Sequence, residues 1–120
     1  MPIDSNHFII YNAEEENFEN FDICIFNTES DISERLIPQA LKGGAYAGDS
    51  SSKYRLNHDV PLIIPPVNKD KISLHKKLYA HTNCLASPIA TVIHPLYNFN
   101  PITRVNAVTT NRLLARVKKP

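Results

Sequence analysis

The sequence predicts an α/β domain built on a parallel sheet, and three consecutive stretches carry that prediction. Asp22-Ile23-Cys24-Ile25-Phe26 is apolar after its first residue, as strands buried on both faces of a parallel sheet are. Ile32, Leu36, Ala40 and Leu41 then recur at helical spacing up to Gly43-Gly44, which supply a C-terminal stop. Ala45-Tyr46-Ala47-Gly48-Asp49 reads as the next strand, giving strand, helix, strand, the unit from which parallel sheets are assembled.

The other elements are placed around this unit. Phe8-Ile9-Ile10-Tyr11 has the length and composition of an edge strand, and residues 13–20 form an acidic surface loop. Ser30 or Asp31 is positioned to cap the first helix, and Pro38 within it predicts a bend. Pro61-Leu62-Ile63-Ile64, closed by Pro65 and Pro66, and Leu78-Tyr79-Ala80 are further short apolar runs. Leu85, Ile89, Val92, Ile93 and Leu96 make a helical stripe over residues 85–97, with Pro88 tolerable in its first turn and Pro95 predicting a kink. Residues 102–109 are β-branched and follow a turn at Asn98-Phe99-Asn100-Pro101, which predicts a strand.

With 120 residues, of which 42% are hydrophobic, the chain is sized for one ordinary core. A net charge of +1 offers no electrostatic argument for nucleic acid or an acidic membrane surface, and no apolar run has the length of a membrane span. The basic end, with Arg112, Arg116, Lys118 and Lys119, reads as a solvated tail. Cys24 and Cys84 lack metal-ligand or disulfide-framework spacing, so no metal site is expected and a reducing, cytoplasmic setting fits.

Two places can carry chemistry. Cys84 falls where a helix follows a strand, and at a helix start the unpaired backbone N–H groups and the dipole favour a thiolate and could hold an oxyanion. The same residue could equally be a small packed hydrophobe, the reading that suits Cys24 in mid-strand. Arg55 follows the serine cluster Ser50-Ser51-Ser52 at the C-terminal end of a predicted strand, the edge of an open α/β sheet where ligands bind. There its guanidinium could clamp a phosphate or carboxylate, or simply be solvated beside a loop. His58, His75, His81 and His94 have no partner at fixed spacing.

The order of these stretches resembles the aspartate-semialdehyde dehydrogenase family. The residues that carry the resemblance are Asp49, Ser51, Ser52, Tyr54 and Arg55, then Asp59-Val60-Pro61-Leu62 with Pro65, Val67 and Asn68, then Asn83-Cys84 and Pro95-Leu96, then Arg104-Val105. The resemblance implies a partial Rossmann-like sheet, with residues 1–100 an incomplete NADP-binding domain carrying the catalytic-cysteine helix. Residues 101–120 would then begin the catalytic and dimerisation domain. It implies NADPH-dependent reduction of L-aspartyl 4-phosphate to L-aspartate 4-semialdehyde, with release of phosphate, in the route to lysine, threonine and methionine. Cys84 would be the nucleophile, Asn83 would help shape the acyl site, Arg55 would bind the substrate phosphate, and Ser51, Ser52 and Asn68 would lie on the NADP cofactor. Family members are homodimers acting on a small molecule.

The chain departs from the family in ways that bear on activity. Its glycines are Gly43, Gly44 and Gly48, so it holds no glycine-rich pyrophosphate loop, and Asn27-Thr28-Glu29-Ser30-Asp31 stands where the family has a second one. Pro66 replaces a family glutamate and His81-Thr82 replace a small residue and proline. The expectation is a truncated family member, inactive alone, holding one part of the nucleotide-binding domain. Two other readings stay open: a non-catalytic subunit or interaction module of a split enzyme, and a small-molecule binding protein using Arg55 and the serines as an anion site.

Overall fold

The computed structural model of the chain describes residues 10–108. Four parallel strands form one sheet: β1 (Ile23–Phe26), β2 (Tyr46–Asp49), β3 (Leu62–Ile63) and β4 (Leu78–His81), in the spatial order β1-β2-β4-β3. Helix α1 (Ser30–Lys42) joins β1 to β2, the short α2 (Pro65–Asn68) follows β3, and α3 (Ala86–Phe99) follows β4. The α/β class and the strand–helix–strand unit are as the sequence predicts.

Helix α1 forms because Ser33, Leu36, Ile37 and Ala40 repeat at helical spacing and are all buried. They pack with Phe26, Ala45 and Ala47 into the main core, and Phe18, Cys24 and Leu78 border it. The cap is neither Ser30 nor Asp31, since Glu29 holds the extended cap position and its carbonyl takes the Ser33 N–H at 3.0 Å. The helix runs through Pro38 to Lys42, and its end uses the two glycines differently. Gly44 has φ +100°, which lets the Ala45 N–H reach the Ala40 carbonyl (3.0 Å) and the Gly44 N–H reach Leu41 (3.1 Å), satisfying the last carbonyls. Gly43 is required by space, because a Cβ there would stand 2.8 Å from the Phe18 backbone carbon.

Three further sequence expectations are corrected. The first is that β1 is buried on both faces: Phe26 is in the core, but Ile23 and Ile25, on the opposite face, are 68% and 81% exposed. Helix α1 packs on one side of β1 only, so the apolar run reflects both faces while just one is covered. The second is the strand over 102–109. Residues 101–108 are in no strand, and Val105-Asn106-Ala107 instead line a groove with Pro88, Ile89, Val92 and Ile93 of α3. β-Branched composition supplies strand propensity but no pairing partner. Thr109 lies outside the described residues, as do Phe8 and Ile9 of the expected edge strand. The third correction is the remainder of that edge strand, since Ile10 and Tyr11 belong to no strand and are exposed.

Candidate functional site

The C-terminal ends of β1, β2 and β4 lie side by side, because Phe26, Asp49 and Ala80 are in register across the three strands. The chain leaving each strand is therefore delivered to one edge of the sheet. Residues 27–29 leave β1, the serine cluster and Arg55 follow β2, and Thr82-Asn83-Cys84 follow β4.

Asp49 organises this edge. Its side chain is 1% exposed and accepts from the Ser33 hydroxyl (2.8 Å), the Ser51 N–H (3.1 Å) and the Ser51 hydroxyl (2.8 Å). Thr28 Oγ1 lies 3.0 Å from Ser33 Oγ, and Ser51 Oγ accepts the Lys53 N–H at 3.1 Å. One buried carboxylate thus ties the loop after β1, the inner face of α1 and the loop after β2 into a single network. Sequence reasoning had not placed Asp49 or Ser33 in a site. The available signal was Ser33 itself, a polar residue on the otherwise apolar stripe of α1, where burial demands a partner.

Arg55 is partly buried and spans two strand ends. Its Nη2 donates to the Ser50 carbonyl at 2.6 Å and its Nε to the His81 carbonyl at 2.9 Å. The guanidinium therefore belongs to the framework of the edge as well as to its surface, and donors beyond these two bonds are available. With Ser51, Ser52 and residues 27–30 it lines a cleft of about 580 Å³ at the start of α1. Ser30 Oγ lies 3.0 Å from Ser52 Oγ across that cleft, and Lys53 pairs with Glu34 of α1 at 2.5 Å.

Asn83 shapes the approach to α3. Its side-chain oxygen accepts the Leu85 N–H at 2.8 Å, and its carbonyl accepts the Ser87 N–H at 3.1 Å. This turn holds Cys84 exposed, just before the helix rather than within its first turn, with Leu85 at the cap position. The Cys84 thiol points toward Asn83 Oδ1 at 3.6 Å. Thr82, one residue earlier, is buried with its hydroxyl unpaired. Cys24 is partly buried, and that burial pushes its thiol above the ordinary cysteine value, in keeping with a packing role.

Asn68 stands elsewhere. It is not among the residues lining the Arg55 cleft; its oxygen accepts the Ile64 N–H at 2.8 Å and its amide donates to the Leu62 carbonyl at 2.9 Å, closing α2 onto β3. Among the described residues no group of three or more His, Cys, Asp or Glu could hold a metal ion, and no helix is long and apolar enough to cross a membrane.

A parallel sheet whose strand ends and first helix start share one cleft is the arrangement of a dinucleotide-binding domain. Residues 2–75 match the model of the semialdehyde dehydrogenase NAD-binding domain, and the chain belongs to that family. It is 36% identical over 98 residues to the aspartate-semialdehyde dehydrogenase of Rickettsia bellii, a match covering 80% of this chain and 29% of that protein. The crystal structure of aspartate semialdehyde dehydrogenase II from Vibrio cholerae superposes with a TM-score of 0.70 at 26% identity, covering 74% of this chain and 27% of that one. The same enzyme complexed with ASA gives a TM-score of 0.70 at 26% identity, over 73% and 27% of the two chains. The chain thus spans under a third of the length of the relatives it matches.

Proposed function

We propose that the chain is part of an aspartate-semialdehyde dehydrogenase, contributing the second portion of its NADP-binding domain and its nucleophile. In this reading Cys84 attacks the acyl carbon of L-aspartyl 4-phosphate, the C–O bond to phosphate breaks, and a thioacyl enzyme forms. Arg55 holds the phosphate before and after it leaves, and Asn83 orients the thiol and the acyl group. When bound, the dinucleotide supplies the hydride that reduces the thioacyl carbon, after which the semialdehyde departs and the thiolate is regenerated. The reading divides the chain into a nucleotide-binding part, 1–100, and the start of a catalytic domain, 101–120, working in a reducing compartment.

The observation that carries it is the Arg55 bridge to the Ser50 and His81 carbonyls. It anchors the guanidinium at the C-terminal end of the strand that runs directly into Asn83-Cys84, so the anion site and the thiol of this reading leave the same edge of the sheet. The cleft at the start of α1 fits one end of a dinucleotide: Ser51, Ser52 and the first-turn amides can meet polar groups there. It does not fit a whole pyrophosphate site, since Glu29 brings a carboxylate to the same cleft and no glycine-rich loop is in the sequence. Asn68, engaged by its own strand, would have to present its remaining amide hydrogen to the nicotinamide end.

The chain by itself is then expected to be silent, because nucleophile, proton-transfer group and cofactor must be held together for turnover. A chimera of the Bacillus subtilis aspartate-semialdehyde dehydrogenase, 29% identical over 96 residues, in which this chain replaces the matching stretch, tests the reading. Reduction of NADP with aspartate semialdehyde and phosphate, lost on Cys84→Ala, is the expected result. A folded chimera with no activity, or one indifferent to Cys84→Ala, would sink the proposal. Turnover by the isolated chain would refute its expected silence.

A further inference from the structure

Arg55 is held by the outer end of a peptide unit whose inner end is gripped by Asp49. The Ser50–Ser51 peptide is trans, so its N–H and C=O point in opposite directions within one plane. The N–H end, from Ser51, donates to Asp49 Oδ1 at 3.1 Å, and the C=O end, from Ser50, accepts from Arg55 Nη2 at 2.6 Å. A carboxylate and a guanidinium thus meet through a single rigid plane, and turning that plane away from one turns it away from the other. Neighbouring bonds steady the unit. The Ser50 N–H donates to the Phe26 carbonyl of β1 at 2.9 Å, and the Ser51 hydroxyl donates to Asp49 Oδ2 at 2.8 Å while accepting the Lys53 N–H. Asp49 is fixed in turn, being buried, set in the ladder between Phe26 and Ala80, and bonded by the Ser33 hydroxyl at 2.8 Å.

We propose that Asp49 is a positioning residue for Arg55: through the Ser50–Ser51 peptide it aims the Ser50 carbonyl, and so sets the orientation in which the guanidinium meets an anion. Hydrogen bonds in series polarise one another, so a charged acceptor on the N–H makes the C=O a stronger acceptor. Of the two bonds that hold Arg55, the one to Ser50 is the shorter, 2.6 Å against 2.9 Å to the His81 carbonyl, the order that polarisation favours. The His81 contact alone would let the guanidinium pivot about Nε, and the Ser50 carbonyl removes that pivot. Asp49 moves no proton in this scheme and acts only through the peptide. Its consequence for phosphate rests on the enzymatic reading of Arg55, whereas the orientation itself does not.

The side-chain N–H signals of Arg55 in the isotope-labelled full chain, assigned by their loss in Arg55→Lys, test the proposal by nuclear magnetic resonance. Their exchange with water is slowed while both carbonyls hold the guanidinium. Asp49→Asn, which keeps the shape but not the charge, is expected to speed that exchange at least about threefold, and Asp49→Ala further. Ser33→Ala also removes a bond to Asp49 but leaves the Ser51 N–H on the carboxylate, and should keep exchange within about twofold of the parent. Unchanged exchange in Asp49→Asn overturns the proposal, whether or not Asp49→Ala folds, and so does an equal rise in Ser33→Ala, the mark of general loosening. Inorganic phosphate titrated into the parent chain tests the enzymatic reading separately. A saturable shift of the Arg55 signals is expected, with affinity lowered at least about threefold by Asp49→Asn. An absent shift in the parent refutes Arg55 as the phosphate holder, and undiminished affinity in Asp49→Asn overturns the effect of orientation on phosphate.

Discussion

Replacing Asp49 by alanine is expected to destabilise the chain by about 3–5 kcal/mol. The carboxylate accepts from the Ser33 hydroxyl, the Ser51 N–H and the Ser51 hydroxyl, and both Asp49 and Ser33 are buried. Hydrogen bonds to a charged group contribute about 1.5–3 kcal/mol each, and a buried donor left without a partner costs about 1–3 kcal/mol. The bonds do not add in full, because Ser51 borders the cleft and can turn toward water, and Ser33, on the buried face of α1, keeps Thr28 Oγ1 at 3.0 Å. A loss of this size is a large part of the roughly 5–15 kcal/mol typical of a domain. Asp49→Asn keeps the shape and one acceptor, and is expected to cost about 1–2 kcal/mol. Urea unfolding followed by circular dichroism gives the numbers, with the m-value unchanged if only the network is lost. A Ser33→Ala, Asp49→Ala cycle should show coupling of at least about 1 kcal/mol, since the two side chains share a bond. An Asp49→Ala chain within about 0.5 kcal/mol of the parent, or additive single losses, would refute the claim that this carboxylate holds the strand ends together.

Gly43→Ala should cost about 1–3 kcal/mol by overpacking, because the added Cβ meets backbone rather than a movable side chain; thermal melts of Gly43→Ala beside Phe18→Ala read the effect. Arg55→Ala frees the Ser50 and His81 carbonyls and should speed tryptic cleavage after Lys53, whereas Arg55→Lys, with one point charge in place of a fork, should restore protection only in part. Burial raises the Cys24 thiol above its ordinary 9.0 and, as the main cause, the Tyr54 phenol above 10.0, with Lys53 opposing and Asp49 and Glu34 adding to the latter. The folded chain then keeps protons that the unfolded chain releases, so this stability is complete below about pH 9 and is lost as the pH climbs through the raised values. Melting temperatures from about pH 7 to 10 should fall, less steeply in Cys24→Ala, and an unchanged slope in that variant would count against the assignment.

Local patterns were legible from residues alone because their causes are local. The apolar run of β1, the stripe and glycine stop of α1, and the segments that became β2, β4 and α3 follow from periodicity and turn chemistry within about a dozen residues. The motif spacing also pointed to the family, which the match over residues 2–75 bears out. What stayed hidden depends on contacts distant in sequence. The order β1-β2-β4-β3 brings Ser33, Asp49 and Ser51 together and lets Arg55 reach the carbonyl of His81, 26 positions away. No spacing rule reports that Asn68 is turned onto β3, or that Val105-Asn106-Ala107 share a groove with α3 and belong to no strand. The two faces of β1 make the same point, since Ile23 and Ile25 are as apolar as any core strand. Amino-acid composition determines which surfaces gain by burial, and only the tertiary arrangement decides which of them are covered.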